Sequence, residues 1–382
     1  MATERPKKKK KGERSDGRIQ VRVNIGRDEN GRIKYKYFYG RTIKEANAKA
    51  EAYKLDLLNY GKPLDTTSTT LSEWTYKHLF TNVKPTVQAG TFERYMATYN
   101  NRIQGSSIGD MEVKEIQPIH LQNFMNSNSS LSKSSLKKIY NLLHASFKSA
   151  IANNLIRINP LENVKLPSSE VKPKEIEILT IDEQKSYMKA LETNKNGTLF
   201  LTALLTGMRI GELLALKWNN VDLDNAIITV CETLRRVKVY DEKGNSESKI
   251  LTKGPKTEKG NRSIPIPKTL VLALKKYQLA SYNSEEGLVF CTKSGLPFQY
   301  NYVWYTHKAL CKKAGIRATS IHALRHTFAS RSIEAGIDVK TVSDLLGHAN
   351  TQITWNTYVH STNDSKREAA NTMEAIYKNM LN

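Results

Sequence analysis

From Arg18 onward the chain alternates, with Ile19, Val21, Val23 and Ile25 on one side and Arg18, Gln20, Arg22 and Asn24 on the other. That period specifies a half-buried strand. After the turn signal Asp28-Glu29-Asn30-Gly31, a second run sets Ile33, Tyr35, Tyr37 and Tyr39 against Arg32, Lys34 and Lys36. The two runs predict a β-hairpin with one basic face, suited to lying in a DNA groove or simply to being solvated. Thr42, with Glu45 as its capping-box partner, then opens a helix expected to reach about Asn59.

The stretch Gly61 to Thr70 is linker-like in composition. Beyond it the pattern turns helical over 71–80, 88–99, 117–126 and 132–153. In the last of these, Leu136, Ile139, Leu143 and Phe147 make an apolar stripe, with Lys133, Lys137 and Lys148 largely off it. A compact all-α domain with a basic flank is expected. Pro160, Pro167 and Pro173, with Ser168 and Ser169, mark a second linker, and the Thr180–Glu183 capping signal opens a further domain. The pattern divides the chain into a basic tail (1–17, expected to be disordered), an α+β domain (18–62), a helical domain (63–166), a linker (167–179) and a last domain (180–382).

The most apolar segment, Leu199 to Leu216, reads as one buried helix. Arg209 and Glu212 inside it would be costly in lipid, so it is not a membrane span. Charge sharpens the picture. The 382 residues carry 59 Lys and Arg against 37 Asp and Glu, a formal charge of +22, which points to a nucleic acid partner rather than a membrane surface. Residues 1–62 alone hold 18 Lys and Arg against 8 Asp and Glu, so the N-terminal region is expected to touch that partner too. Cys231, Cys291 and Cys311 are far apart and form no metal-binding or disulfide pattern, which fits a reducing cytosol. The N-terminus has no apolar core of a secretory signal, and a cytoplasmic protein is expected.

Four islands in the last two hundred residues carry candidate chemistry. The first holds Arg209 and Glu212 three residues apart, either as a structural ion pair or as a guanidinium braced to face a phosphate. The second, around Thr252 to Pro267, is a basic turn. Lys256 there could protonate a leaving oxygen, but Lys253 and Lys259 are equally suited and spacing does not choose among them. The third, His322-Ala-Leu-Arg325, sets a histidine and an arginine one helical turn apart. In the fourth, Leu345-Leu346-Gly347 closes a helix, His348 occupies the following turn and Tyr358 lies on the next helical stretch. Each island alone has an ordinary packing explanation. Together, two arginines, a lysine and two histidines suit the negative charge of a pentacovalent phosphorane, and Tyr358 is the nucleophile beside them. No carboxylate cluster for magnesium accompanies them in the sequence, so neither metal nor cofactor is expected.

The segments "TGMRIGELLAL", "PKT", "HALRHTFAS", "IDVKTVSDLLGHAN" and "TWNTYVH" resemble, in order, those of the tyrosine recombinase (phage integrase) family. The resemblance extends over nearly the whole chain. It implies a multidomain fold with a small α+β arm-binding domain, an all-α core-binding domain and a mainly α catalytic domain bearing a small antiparallel sheet. It also implies that Arg209 and Arg325 clamp the scissile phosphate, that His322 and His348 bond its nonbridging oxygens, that Lys256 protonates the departing 5′ oxygen and that Glu212 supports. Tyr358 would attack to form a 3′-phosphotyrosyl link. The arm-type hairpin shows two strands where the family has three, and the lysine hairpin carries an insertion, Arg235 to Gly254, ahead of "PKT".

Double-stranded DNA at core and arm sites is the implied partner, with Arg18, Arg22, Arg32, Lys34, Lys36, Lys133, Lys137 and Lys148 as DNA contacts. Ala369, Met373, Ile376 and Met380 keep a 4-3-4 spacing that suits closing the chain's own core or, as the resemblance implies and is expected here, docking on a neighbouring subunit in a homotetramer. An excisionase or a host DNA-bending protein is a further expected partner. The expected activity is integration and excision of a mobile element, a prophage or a conjugative transposon. A chromosome-dimer resolvase and a DNA-binding regulator that has lost cleavage are the competing readings.

Overall fold

The computed structural model describes residues 14–61, 64–65, 67–171, 175–254, 260–282, 284–358, 373–374, 377–378 and 380. They fall into two compact units, residues 1–173 with 240–245 and residues 174–239 with 246–382. Lys253 lies at the end of a strand, but Lys256 and Lys259 fall outside the described residues.

The first unit opens with β1 (Ile19–Arg27) and β2 (Ile33–Gly40), paired antiparallel, and α1 (Ile43–Tyr60) packs on the pair. Of the tail expected to be disordered, residues 1–13 lie outside the described residues. Residues 14–17 form a turn, with the Gly17 N–H on the Arg14 carbonyl at 3.1 Å. Thr42 accepts from the Glu45 N–H at 3.2 Å as expected of a cap, but Glu45 returns its carboxylate to the Arg41 N–H instead of Thr42.

The register redraws the hairpin's faces. Val21 opposes Phe38 and Val23 opposes Lys36, while Arg22 opposes Tyr37 and Asn24 opposes Tyr35. Directly opposed residues share a face. The helix-side face therefore holds Ile19, Val21, Val23, Phe38 and Lys36, with the Phe38 ring tilted against Tyr53 of α1 at 5.2 Å and the Lys36 ammonium 4.7 Å from the centre of the same ring. The open face carries Arg22, Tyr35, Tyr37 and Tyr39, so the expected single basic face is split. Arg18 and Arg22 belong to one side, and Arg32, Lys34 and Lys36 follow the other by alternation. A bulge between Asn24 and Gly26 shifts the register, and Ile25 is exposed instead of packed.

The rest of this unit is helical: α2 (Leu71–His78), α3 (Ala89–Arg102), α4 (Pro118–Ser127) and α5 (Lys133–Ala152). Leu136, Ile139, Leu143 and Phe147 are all buried, as their spacing requires, and Lys133, Lys137 and Lys148 are exposed. Burying a side chain such as Phe147 contributes roughly 1.5–3 kcal/mol. A Trp74 indole N–H on the Ser146 carbonyl at 2.9 Å ties α2 to α5.

The second unit begins with α6 (Ile181–Glu192), opened by a complete Thr180–Glu183 capping box. Leu179, expected in the linker, is fully buried here, its N–H on Thr327 Oγ1 at 2.9 Å. Next comes α7 (Gly197–Thr206), which packs on α6 and supplies Leu199, Phe200, Ala203 and Leu204 to the core. The helix expected to continue to Leu216 breaks. Gly207 turns left-handed (φ 62°) and α8 (Ile210–Leu214) starts afresh. A Cβ at Gly207 would lie 2.5 Å from Phe328 Cδ1 and 2.8 Å from Leu346 Cδ2, so both the turn and its crowding demand glycine.

After α8, β3 (Val221–Asp222), β4 (Ile227–Val230) and, further on, β7 (Arg262–Pro265) make a three-stranded antiparallel sheet in the order β3-β4-β7. The inserted residues ahead of "PKT" form a separate hairpin of β5 (Thr233–Tyr240) and β6 (Ser246–Lys253). Helices α9 (Lys268–Ala280), α10 (Tyr300–Lys313), α11 (His322–Glu334), α12 (Val339–Leu346) and α13 (Thr351–Tyr358) complete the unit. Helix α11 packs on α7 and α12, and α13 on α11 and α12. Of the C-terminal stripe, Met373 and Met380 are exposed, while Ala369 and Ile376 lie outside the described residues. No helix among the described residues is long and apolar enough to cross a membrane.

Candidate active site

The break at Gly207 is what brings Arg209 to the surface of an apolar helix pair. Arg209 is extended (φ −70°, ψ 148°) and serves as the N-cap of α8, and its backbone N–H is taken by Glu212 Oε2 at 2.8 Å. Glu212 Oε1 also accepts from Arg209 Nη1 at 2.9 Å. The side chain of Arg209 stays 41% exposed, so a ligand can reach it, whereas that of Glu212 is 8% exposed.

A second arginine shares that carboxylate. Arg262, at the start of β7, donates Nη2 to Glu212 Oε2 at 2.7 Å and Nη1 to Oε1 at 3.2 Å, with its side chain only 6% exposed. Four donors thus fill the Glu212 oxygens. Burial by itself would push Glu212 up, but the bonds and charge of Arg262 and Arg209 outweigh it and hold the group below its ordinary value. Arg262 was not singled out in the sequence. Its place in an apolar strand, Arg262-Ser-Ile-Pro-Ile266, is the one available signal, and it names no partner.

Both arginines, and a third, meet at the end of α12. The last carbonyls of a helix lack intrahelical donors and carry its negative dipole end. Arg262 Nε donates to the Leu345 carbonyl at 2.6 Å. Arg325 Nη2 donates to Leu346 at 2.9 Å and its Nη1 to the Gly207 carbonyl at 2.8 Å. Arg209 reaches Leu346 and Gly347 with longer bonds, 3.4 and 3.3 Å. Gly347 closes α12 in the left-handed region (φ 65°), where a Cβ would press on Arg262 at 2.9 Å. The helix end orients the guanidiniums, and the guanidiniums satisfy the helix end.

Two histidines complete the cluster. His322 starts α11 one turn before the buried Arg325, with its ring edge-on to His326 at 4.7 Å. His348 sits in the turn after Gly347, held by its N–H on the Ser343 carbonyl at 3.0 Å and by Nδ1 at 2.8 Å from Thr354 Oγ1. Desolvation lowers His348 to about 4, and the charges of Arg325, Arg209, Arg262 and His322 push the same way. His322 is lowered too, chiefly by desolvation and then by Arg325 and Arg209. Both rings are neutral near pH 7, which suits hydrogen bonding to a phosphate that the arginines neutralise.

Arg209, Glu212, His322, Arg325 and His348 therefore converge in the second unit, from α8, α11 and the turn after α12. Tyr358 is the last residue of α13, the helix packed on α11 and α12. The expected DNA contacts Arg18, Arg22, Arg32, Lys34, Lys36, Lys133, Lys137 and Lys148 all belong to the first unit.

A cationic cluster of this kind, with Arg209 open to solvent, on a mainly helical unit with a small antiparallel sheet suits a protein that handles phosphodiesters. The model of the phage integrase family matches residues 177–365, and that of the phage integrase N-terminal SAM-like domain matches residues 70–128. Among curated proteins, the chain is 34% identical over 377 residues to a "Tyrosine recombinase XerC-like" of Caldanaerobacter subterraneus subsp. tengcongensis, covering 94% of this chain and 96% of that one. It is 26% identical to the integrase of Staphylococcus phage L54a, over 80% of this chain and 92% of that one. Among solved structures, the fold is similar to the Tn1549 transposon integrase in complex with a circular intermediate DNA (TM-score 0.66, 22% identity, 80% of this chain and 100% of that one). It is also similar to a lambda integrase dimer bound to a core site (TM-score 0.57, 19% identity, 90% and 93%). The chain belongs to the tyrosine recombinase family of phage integrases. Its activity is site-specific DNA recombination.

Proposed function

We propose that this chain integrates and excises a mobile element by cutting and rejoining DNA strands through Tyr358. The observation that carries the reading is the convergence of Arg209, Arg325, His322 and His348 at the end of α12, in a chain of this family, with Tyr358 on the next helix. Arg209 and Arg325 clamp the scissile phosphate. His322 and His348, both neutral, donate to its nonbridging oxygens, and Glu212 braces Arg209. The Tyr358 oxygen attacks phosphorus as the bond to the 5′ oxygen breaks, and Lys256 gives that oxygen its proton. The products are a 3′-phosphotyrosyl link and a free 5′ hydroxyl, and attack by a 5′ hydroxyl of the partner duplex reverses the step. One phosphodiester replaces another, so the exchange needs no external energy source.

Residues 18–62 read arm sites, 63–166 close on the core site, and 180–382 carry the chemistry. Four copies, joined through the C-terminal segment, hold two duplexes; a lambda integrase tetramer bound to a Holliday junction is a precedent for four copies on DNA. An excisionase or a host DNA-bending protein sets the direction. The test is to incubate the protein with labelled, nicked DNA from the flanks of its own gene and look for an SDS-resistant adduct. Wild type gives an adduct that maps to Tyr358, and Tyr358→Phe binds the same DNA without one. An adduct formed by Tyr358→Phe removes Tyr358 from the role of nucleophile.

A further inference from the structure

Thr354 makes an unusual bond for a helical threonine. Such hydroxyls commonly donate to the carbonyl four residues back, and Thr202, Thr206, Thr306 and Thr327 all do so here, at 2.6–2.8 Å. Thr354 instead places Oγ1 2.8 Å from His348 Nδ1, its hydrogen-bond partner among the described residues. Thr354 has no exposed surface, and it stands in α13 one helical turn before the position of Tyr358.

Proton counting on this bond decides the histidine tautomer. A hydroxyl has one proton to give, and a neutral imidazole carries one N–H. If Nδ1 held that proton it would donate to Oγ1, and the Thr354 proton would be left without an acceptor among the described residues. With the ring proton on Nε2, Thr354 donates to Nδ1 and both groups are satisfied. The choice has a chemical consequence, because a neutral ring donates through one nitrogen only.

We infer that Thr354 is a positioning residue: its hydroxyl holds neutral His348 in the tautomer protonated on Nε2, so that the ring meets a phosphate oxygen as a donor and not as an acceptor. The inference rests on the role given to His348 under Proposed function. Desolvation and the surrounding arginines, which keep His348 at about 4, supply the neutral ring that makes the tautomer matter. The same bond fastens the turn carrying His348 to the helix carrying Tyr358, so the donor and the nucleophile's helix are set together.

The test uses the full chain. Ring 15N spectra of histidine-labelled protein, with His348→Gln to identify the signal, read the tautomer directly. Protonated Nε2 and a bare, hydrogen-bonded Nδ1 are expected, and a proton on Nδ1 overturns the inference whether or not a Thr354 variant folds. For rates, Thr354→Val keeps the shape and removes the hydroxyl, and it should slow adduct formation about 10- to 100-fold, by analogy with loss of the group that orients a metal-ligating histidine. Thr354→Ser should restore the rate to within a few-fold, and Thr354→Val should add no further loss in a His348→Gln background. A Thr354→Val rate equal to wild type, or a loss undiminished in that background, sinks the idea. A wild-type rate in His348→Gln alone would refute the role of His348, while the spectrum still decides the Thr354 contact.

Discussion

Arg262→Leu removes one side of a buried ion pair in the second unit. Arg262 and Glu212 have side chains 6% and 8% exposed and share two bonds, and Arg262 also supplies the donor for the Leu345 carbonyl. Deleting one partner of a buried pair costs about 3–5 kcal/mol, because the remaining charge keeps its desolvation cost without compensation. Glu212 would retain two bonds from Arg209, which favours the lower end, and the orphaned Leu345 carbonyl adds about 1 kcal/mol. The expected loss is about 4 kcal/mol. Native-state hydrogen exchange in rising urea, followed on peptides of α7 and β7, reports the second unit separately from the first. With a urea dependence of about 2 kcal/mol per molar, the opening midpoint should fall by about 2 M. The sign with pH is also set. The folded Glu212 value lies below its ordinary 4.5, so its contribution is full above that value and is lost as pH falls through the folded value. The gap between wild type and variant should therefore narrow at pH 3. A midpoint shift under about 0.5 M near pH 7 would refute the account of Arg262 as the partner that keeps Glu212 buried and charged.

Gly207→Ala must take a left-handed conformation and meet Phe328 at 2.5 Å, so it should cost at least about 2 kcal/mol and slow adduct formation, since Arg325 is anchored on the Gly207 carbonyl; wild-type melting and rate would contradict this. His307, His326 and His348 are each lowered to about 4, first by desolvation, against about 6.5 when unfolded. The folded state favours their neutral forms, so stability is full above pH 6.5 and falls as pH drops towards 4; a melting temperature flat between pH 7.5 and 5 would count against their burial. On the hairpin, Arg22→Ala should weaken binding to arm-site DNA and reduce the salt slope by about one ion. Lys36→Ala, which loses the contact over Tyr53, should lower hairpin stability and leave that slope nearly unchanged; equal slope changes for both would contradict the two-faced register.

Where the sequence predicted well, one local signal was sufficient. The stripe of α5 is buried because 3.6-residue spacing forces those positions together, and the Thr180–Glu183 box forms because both partners lie within one turn. Where it went astray, a distant contact decided. Both faces of β2 carry large apolar rings, so alternation could not say which would dock on α1, and Phe38 on Tyr53 made the choice. The run Leu199 to Leu216 is apolar throughout, and only the approach of Phe328 and Leu346 to Gly207 shows why it must break there.

By itself the sequence determined the N-terminal hairpin and capped helices, the basic charge and the residue types of the candidate site, because periodicity, capping and charge act within a few residues or over the whole chain. The tertiary structure alone decided how those residues meet. The carbonyls ending α12 collect Arg209, Arg262 and Arg325 from three distant segments, and Glu212 is divided between two of them. The bond from Thr354 to His348, although only six residues apart, exists because a helix end, a left-handed glycine and a new helix fold the chain back on itself. Hydrogen bonding is short-ranged and directional, so a pattern of residue types can show that a carboxylate needs donors but not which arginine will arrive.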